Sequence, residues 1–222
     1  MKETIVFVHG MSHGAWCWEE NFIPYFEGLG YHCLAMNLPG HDMPGATKAI
    51  HYSLDAYVEA LSKTVATLEE DPIIVGHSMG GMILQKYLDK GRCKKAILFA
   101  SVPPSGVLWP SLRVLAKHPG GLKYLFQLNL LGVFRKYPSL MFGANPKTKD
   151  YVDKMCAESF WAYVQLMIPF RRLRKGIPVL VMGGTEDQLI SVEECQQTAN
   201  AYGAELARSE ERRVGKECLR LC

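Results

Sequence analysis

The pentapeptide Gly76-His77-Ser78-Met79-Gly80 constrains this chain more than any other stretch. It follows the β-branched run Ile73-Ile74-Val75. It precedes Met82-Ile83-Leu84-Gln85-Lys86-Tyr87-Leu88, where apolar residues recur at helical period. A strand that passes at once into a helix has to turn sharply, and the turn lifts Ser78 so that its hydroxyl faces a cleft above the sheet. Glycines suit positions 76 and 80 because a Cβ there would strike the neighbouring strand and helix, and Gly81 gives the helix further room. The Met79 N–H faces the same space from a helix N-terminus, where it stabilises a developing oxyanion. The spacing therefore predicts a strand, an elbow carrying a nucleophilic serine, and a helix. The competing reading is a glycine-rich βα turn in some other doubly wound fold.

Two further segments end at the same place. Thr4-Ile5-Val6-Phe7-Val8 has the continuous apolar character of a buried parallel strand and runs into His9-Gly10-Met11-Ser12-His13-Gly14-Ala15-Trp16. That turn brings a second backbone donor, the Met11 N–H, to the oxyanion site. His9, with Gly10, is expected to buttress the loop rather than act as a base. His13 either faces the substrate or packs on Trp16. The third segment, Pro178-Val179-Leu180-Val181-Met182-Gly183-Gly184-Thr185-Glu186-Asp187, is another buried strand closed by glycines and carboxylates. An acid at a strand's C-terminal end, after the serine in chain order, fits a Ser…Asp…His arrangement. Asp187 is the better placed carboxylate and Glu186 points outward. The alternative is that Asp187 only caps its turn.

Along the chain, strands are expected near 4–8, 31–36, 72–77, 95–100 and 177–182, and helices near 16–28, 53–70, 79–90 and 191–202. This alternation predicts an α/β fold, a doubly wound and mostly parallel sheet covered on both faces, with its site at the carboxyl ends of the strands. Residues 1–102 and 172–207 form that core. Residues 103–171 interrupt it with an apolar insert that includes Trp109, Phe126, Phe134, Phe160 and Trp161. The insert is expected to be a cap of two to four helices that excludes water and shapes a pocket for a small to medium apolar acyl group.

Together these motifs resemble the α/β-hydrolase superfamily, over about residues 3 to 207. The stretch Phe7-Val8-His9-Gly10 … His13-Gly14-Ala15-Trp16-Cys17-Trp18 is similar to the branch that holds plant methyl esterases, hydroxynitrile lyases and bacterial hydrolases labelled lysophospholipase. The resemblance implies Ser78 as nucleophile, Asp187 as triad acid, and Met11 and Met79 as oxyanion donors, with ester or related acyl-bond hydrolysis as the activity. A hydroxynitrile-type lyase and a non-catalytic binder that keeps the pocket are the alternatives. It also implies a sheet order of 2-1-3-4-5 with a further edge strand, and a Gly-His pair some twenty to thirty residues past Asp187.

That histidine is missing. The seven histidines are at 9, 13, 32, 41, 51, 77 and 118, none of them after Asp187. Ala204-Glu205-Leu206 looks like the start of the last strand. Beyond it, Arg208-Ser209-Glu210-Glu211-Arg212-Arg213-Val214-Gly215-Lys216-Glu217-Cys218 matches the in-frame translation of a common sequencing adapter. The expectation is a non-native tail over 208–222, a missing last strand and final helix, an exposed apolar edge at 177–182 with poor solubility, and little or no activity for want of the general base.

Composition narrows the rest. The formal net charge is +3, of which the five basic and three acidic residues of 208–222 supply +2, leaving +1 for residues 1–207. No basic stripe with interleaved aromatics points to nucleic acid. Arg171-Arg172-Leu173-Arg174-Lys175 reads as a solvated loop. The cysteines at 17, 33, 93, 156 and 195 lack zinc or C-x-x-C spacing and read as reduced thiols in a cytoplasmic protein. No targeting peptide or membrane span is visible. No metal or cofactor is implied, and Gly10-x-x-x-Gly14 lacks the lysine of a P-loop. The expected partner is a small-molecule acyl substrate.

Overall fold

The computed structural model describes residues 2–48, 50–143, 145–171 and 176–209. Six strands are present: β1 (Thr4–Val8), β2 (His32–Met36), β3 (Ile73–His77), β4 (Lys95–Phe99), β5 (Val179–Gly184) and β6 (Glu205–Ser209). They form one sheet in the order β2-β1-β3-β4-β5-β6, and every pairing is parallel. The helices, in chain order, are α1 (Trp16–Glu19), α2 (Phe22–Gly28), α3 (Leu54–Ala66), α4 (Met79–Tyr87), α5 (Leu108–Lys117), α6 (Leu122–Phe126), α7 (Leu130–Lys136), α8 (Ser139–Phe142), α9 (Thr148–Lys154), α10 (Phe160–Leu166) and α11 (Val192–Tyr202).

Alternate residues of the strands feed two cores. Val6, Val8, Ile74, Leu98 and Val181 pack with Leu61 of α3, Ile83 of α4 and Cys195 of α11. Ile5, Phe7, Val75, Phe99 and Met182 pack on the other face with Trp18, Phe22 and Phe26 of α1 and α2. Covering both faces is what lets β1 and β3 be apolar throughout. Parallel order then places the ends of β1, β3 and β5, and the three motifs they carry, along one rim of the sheet.

Several boundaries differ from expectation. The helix expected over 16–28 is two helices, because Pro24 has no N–H to give the carbonyl of residue 20 and its ring would clash there. The helix expected over 53–70 starts on the Ser53 cap, whose hydroxyl accepts from the Ala56 N–H at 3.1 Å, and ends at Ala66. Helix α11 carries a capping box, Ser191 with Glu194, and closes on left-handed Gly203. Among its described residues the insert between β4 and β5 holds six short α-helices, α5 to α10, rather than two to four. Proline and glycine at 119–121, 138 and 143 keep its segments short.

The largest correction concerns the last strand. It is present, not missing: Leu180 to Gly184 of β5 pair with Glu205 to Ser209 of β6. The apolar edge expected at 177–182 is therefore covered. The edge is β6, with Glu205 and Arg208 exposed, and such charges discourage pairing with another chain. A strand paired on one side needs only an intermittent apolar pattern, so Glu205-Leu206-Ala207-Arg208-Ser209 suffices. Arg208 and Ser209 of the adapter-like segment lie in β6. Its remainder and Arg172 to Lys175 of the basic run lie outside the described residues.

Candidate active site

Ser78 sits between β3 and α4 with φ 55° and ψ −116°, a left-handed backbone that non-glycine residues rarely adopt. Its surroundings fix it there. The Ser78 N–H donates to the Phe99 carbonyl at 3.1 Å, and its own carbonyl accepts from Gly81 and Val102, both at 3.0 Å. A conformation costing about 1–3 kcal/mol persists only where such contacts over-determine it. The glycines around it are required by space. A Cβ on Gly76 would lie 2.5 Å from the Gly80 carbonyl oxygen. One on Gly80 would lie 2.6 Å from the His9 carbonyl oxygen, and one on Gly10 would lie 3.0 Å from the Ser78 Cβ. Strand β1, its following loop and the elbow are thus in backbone contact. Buried Gln85 of α4 closes the far side by donating to the Val102 carbonyl at 2.8 Å and to the Ser101 hydroxyl at 2.9 Å.

The loop after β1 is held peptide by peptide. The Leu38 N–H donates to His9 Nε2 at 3.1 Å, so the proton of this ring is on Nδ1, which donates to the Gly10 carbonyl at 2.8 Å. Burial, and next the charge of nearby His41, holds the His9 pKa well below its ordinary value and keeps the ring neutral. The His13 N–H also reaches the Gly10 carbonyl, at 3.3 Å. A trans peptide is planar, so fixing the Gly10 carbonyl aims the Met11 N–H the opposite way. His9 thus ties the Gly10 and Leu38 peptides together. His13 takes the packing alternative: it stacks on Trp16 with ring centroids 5.2 Å apart, and its Nδ1 bonds the Met11 carbonyl at 2.7 Å. Met79 is the first residue of α4, where a backbone N–H has no acceptor within the helix.

Met11 and Ser78 line one cavity of about 90 Å³. Its walls include Val107, Val114 and Leu130 of the insert and Leu189 and Ile190 of the loop after β5. The polar groups within it are Ser78, Ser111 and Tyr163, and the Tyr163 hydroxyl lies 2.8 Å from that of Ser111. A larger cleft of about 400 Å³ lies beyond Met141 and is lined by His13, Trp16, His77 and Tyr151. Ser78 does not line that cleft.

None of the seven histidines lines the cavity at Ser78. His77, though adjacent in sequence, faces the other core, 5.5 Å from the Phe99 ring. His118 lies in the insert against Tyr137 at 4.7 Å. Asp187 accepts from the Leu189 and Ile190 N–H groups at 2.8 and 3.0 Å, so it does cap its own turn, while Glu186 is exposed. The turn it shapes supplies two residues of the cavity wall. Among the described residues, no group of three or more His, Cys, Asp or Glu is arranged to hold a metal ion.

Two polar clusters escaped the sequence reading. Arg113 of α5 grips both carboxylate oxygens of Glu194 at 3.2 and 2.9 Å and the Leu189 carbonyl at 2.9 Å, fastening the insert to the Asp187 loop. Glu158 is buried with His41 and Tyr57, at 3.2 and 3.1 Å. Burial alone would lower the His41 pKa, but the Glu158 charge and hydrogen bond outweigh it and raise the value. Of these residues only His41, in Pro39-Gly40-His41, stands at a recognisable turn. Nothing at 158 distinguishes a buried carboxylate from a solvated one.

The chain matches the model of the alpha/beta hydrolase family over residues 5–216. Methylesterase 2 of Arabidopsis thaliana is 35% identical over 92 residues, 40% of this chain and 35% of that protein. The probable esterase PIR7A of Oryza sativa subsp. japonica is 32% identical over 106 residues, 46% of this chain and 40% of that one. The matched stretches thus span well under half of these relatives. Among solved structures, an extracellular alpha/beta-hydrolase from a Paenibacillus species superposes with a TM-score of 0.73 at 17% identity, covering 99% of this chain and 97% of that one. A lipase-esterase related protein from Clostridium acetobutylicum gives 0.72 at 18%, covering 94% and 86%. At such identities the likeness is one of fold, and no helix of the described residues is long and apolar enough to cross a membrane. The elbow, the sheet order and the match along nearly the whole chain agree: this protein belongs to the alpha/beta hydrolase family.

Proposed function

We propose that the chain is a serine esterase acting on a short, apolar acyl ester. The strained Ser78 at the N-terminus of α4, opening with Met11 into an apolar cavity, carries this reading. Ser78 Oγ attacks the ester carbonyl, the N–H groups of Met11 and Met79 hold the oxyanion, and the alcohol leaves an acyl-Ser78 that water hydrolyses. Asp187 has the place of the acid that orients a histidine. The segment 103–171 acts as the cap, and the cavity is small beside the ~300–1,000 Å³ common for ligand sites, which favours acetyl to butyryl groups. Sequence likeness to plant methylesterases and an esterase supports the reaction class. Cys17, Cys33 and Cys156 are free thiols, which favours a reducing, cytoplasmic setting.

No histidine lines the cavity at Ser78, and a base so placed ordinarily contributes about 10²–10⁴-fold. Turnover is therefore expected to be slow and to rise on addition of imidazole. The same observation favours, as a second reading, a binder that retains the pocket without turnover. Hydrolysis of p-nitrophenyl acetate, butyrate and octanoate by the chain and by Ser78→Ala separates the two. The esterase reading expects slow, imidazole-stimulated cleavage of the short esters that Ser78→Ala abolishes. Equal rates in the two proteins would leave the binder.

A further inference from the structure

Glu158 comes from the insert, far in sequence from the elbow, and it is one of the most heavily engaged side chains in the molecule. Its Oε1 accepts from the Tyr57 hydroxyl at 3.1 Å and from the Ser159 N–H at 2.8 Å. Its Oε2 accepts from the Ser12 N–H at 3.0 Å and lies 3.2 Å from His41 Nε2. The side chains of Glu158 and His41 are fully buried. Burying a carboxylate is costly unless its oxygens are satisfied, and an apolar group of similar size would fill the space at least as well for stability alone.

What the carboxylate reaches is the loop beside the elbow. Ser12, one residue after Met11, has φ 57° and is, like Ser78, a serine in the left-handed region. Its N–H goes to Glu158 and its carbonyl accepts from the Cys156 N–H at 3.1 Å, while the Cys156 thiol lies 3.6 Å from the His13 carbonyl. The peptide joining Met11 to Ser12 is thus pinned at both ends, its carbonyl by His13 and its N–H by Glu158. The peptide before it is pinned by His9. The Met11 N–H lies in the plane of that preceding peptide, and the pinned Met11–Ser12 peptide holds it there from the other side of the Met11 Cα.

We infer that Glu158 is a positioning residue for ester cleavage, holding Ser12 in its left-handed conformation so that the Met11 N–H stays aimed at the oxyanion. This rests on the esterase reading of Ser78. It makes the reaction depend on seating of the segment Met155–Ser159 against the β1 loop. Glu158 hydrogen-bonds no residue that lines the acyl cavity, so its loss is expected to lower the rate of attack and leave KM unchanged.

The test compares Glu158→Ala with Ser159→Ala, which removes the α10 cap one residue away but leaves the Ser12 contact intact. Ser78 labelling by a fluorophosphonate and p-nitrophenyl acetate turnover are measured with imidazole present, at a temperature where circular dichroism shows each protein folded. Glu158→Ala is expected to slow labelling and kcat by at least about 10-fold, since losing one oxyanion donor typically costs 10²–10³-fold. KM should stay within about two-fold, and Ser159→Ala should match the unsubstituted chain. Should Glu158→Ala not fold, Glu158→Gln is judged by the same criteria: it fills the space yet sets an amide N–H against a backbone N–H. Unchanged rates in the Glu158 variant, or equal slowing in both, overturn the inference while leaving Ser78 as nucleophile. No labelling of the unsubstituted chain overturns the esterase reading itself and this inference with it.

Discussion

Gly80→Ala puts two opposing effects at one position. Alanine is the better helix residue, by about 0.5–1 kcal/mol. Its Cβ, however, would sit 2.6 Å from the His9 carbonyl oxygen and closer still to that of Val8, where ordinary contact begins at 3.4 Å. Relieving the closer Val8 contact would need the end of β1 and the start of α4 to separate by about 1 Å. Both obstacles are backbone in the middle of the sheet, so the cost is taken at the top of the usual overpacking range, about 3 kcal/mol. The clash wins, for a net loss of about 2 kcal/mol and a fall in Tm of about 4–8 °C at this chain length. The same wedge moves the Met79 N–H away from the Met11 N–H, and a displacement near 1 Å at a reacting centre costs on the order of 10²-fold in rate. Thermal melting and the rate of Ser78 labelling by a fluorophosphonate measure the two effects. Gly28→Ala is the control: nothing lies within 4 Å of its Cβ, so it should be neutral or stabilising. A Gly80→Ala protein that melts at or above the unsubstituted temperature and labels at the same rate would refute the reasoning.

Three other outcomes are expected. Tyr163→Phe removes one of two hydroxyls from the insert side of an apolar cavity, so the preference among p-nitrophenyl esters should shift toward purely aliphatic acyl groups, by about 10-fold or less. The folded pKa of His41 is raised, so its pairing with Glu158 contributes fully below its unfolded value near 6.5 and is lost as pH climbs through the higher folded value. Melting temperature should therefore fall across that window, and His41→Gln should flatten the profile. Arg113→Ala should cost about 1 kcal/mol, the upper value for a partly exposed pair, and urea denaturation would show it as a shifted midpoint at constant slope.

Legibility in the sequence followed how local the determinant was. The elbow was readable because strand, glycines and helix lie within fifteen consecutive residues and each is demanded by sterics that the neighbours impose. Strands β1, β3 and β5 were readable because a doubly covered parallel strand must be apolar throughout. The break between α1 and α2 was overlooked because the periodicity of Trp18, Phe22 and Phe26 runs straight through Pro24. Strand β6 was judged missing because an edge strand with Glu205 and Arg208 lacks the run that central strands carry. Within the site, Ser78, Met11, Met79 and the supporting glycines follow from chain geometry near the motif. The clamp made by Glu158, His41 and Tyr57 does not, since its members are 101 and 117 residues apart in sequence and meet only through tertiary packing.

On the proposed reading, Ser78 is the nucleophile of an acyl-transfer site. Peptide mass spectrometry of the chain after incubation with a fluorophosphonate tests it most directly. One adduct per chain is expected, located on Ser78, formed faster with imidazole present and absent from Ser78→Ala. An unmodified Ser78, or an adduct that maps elsewhere and survives that substitution, would contradict it.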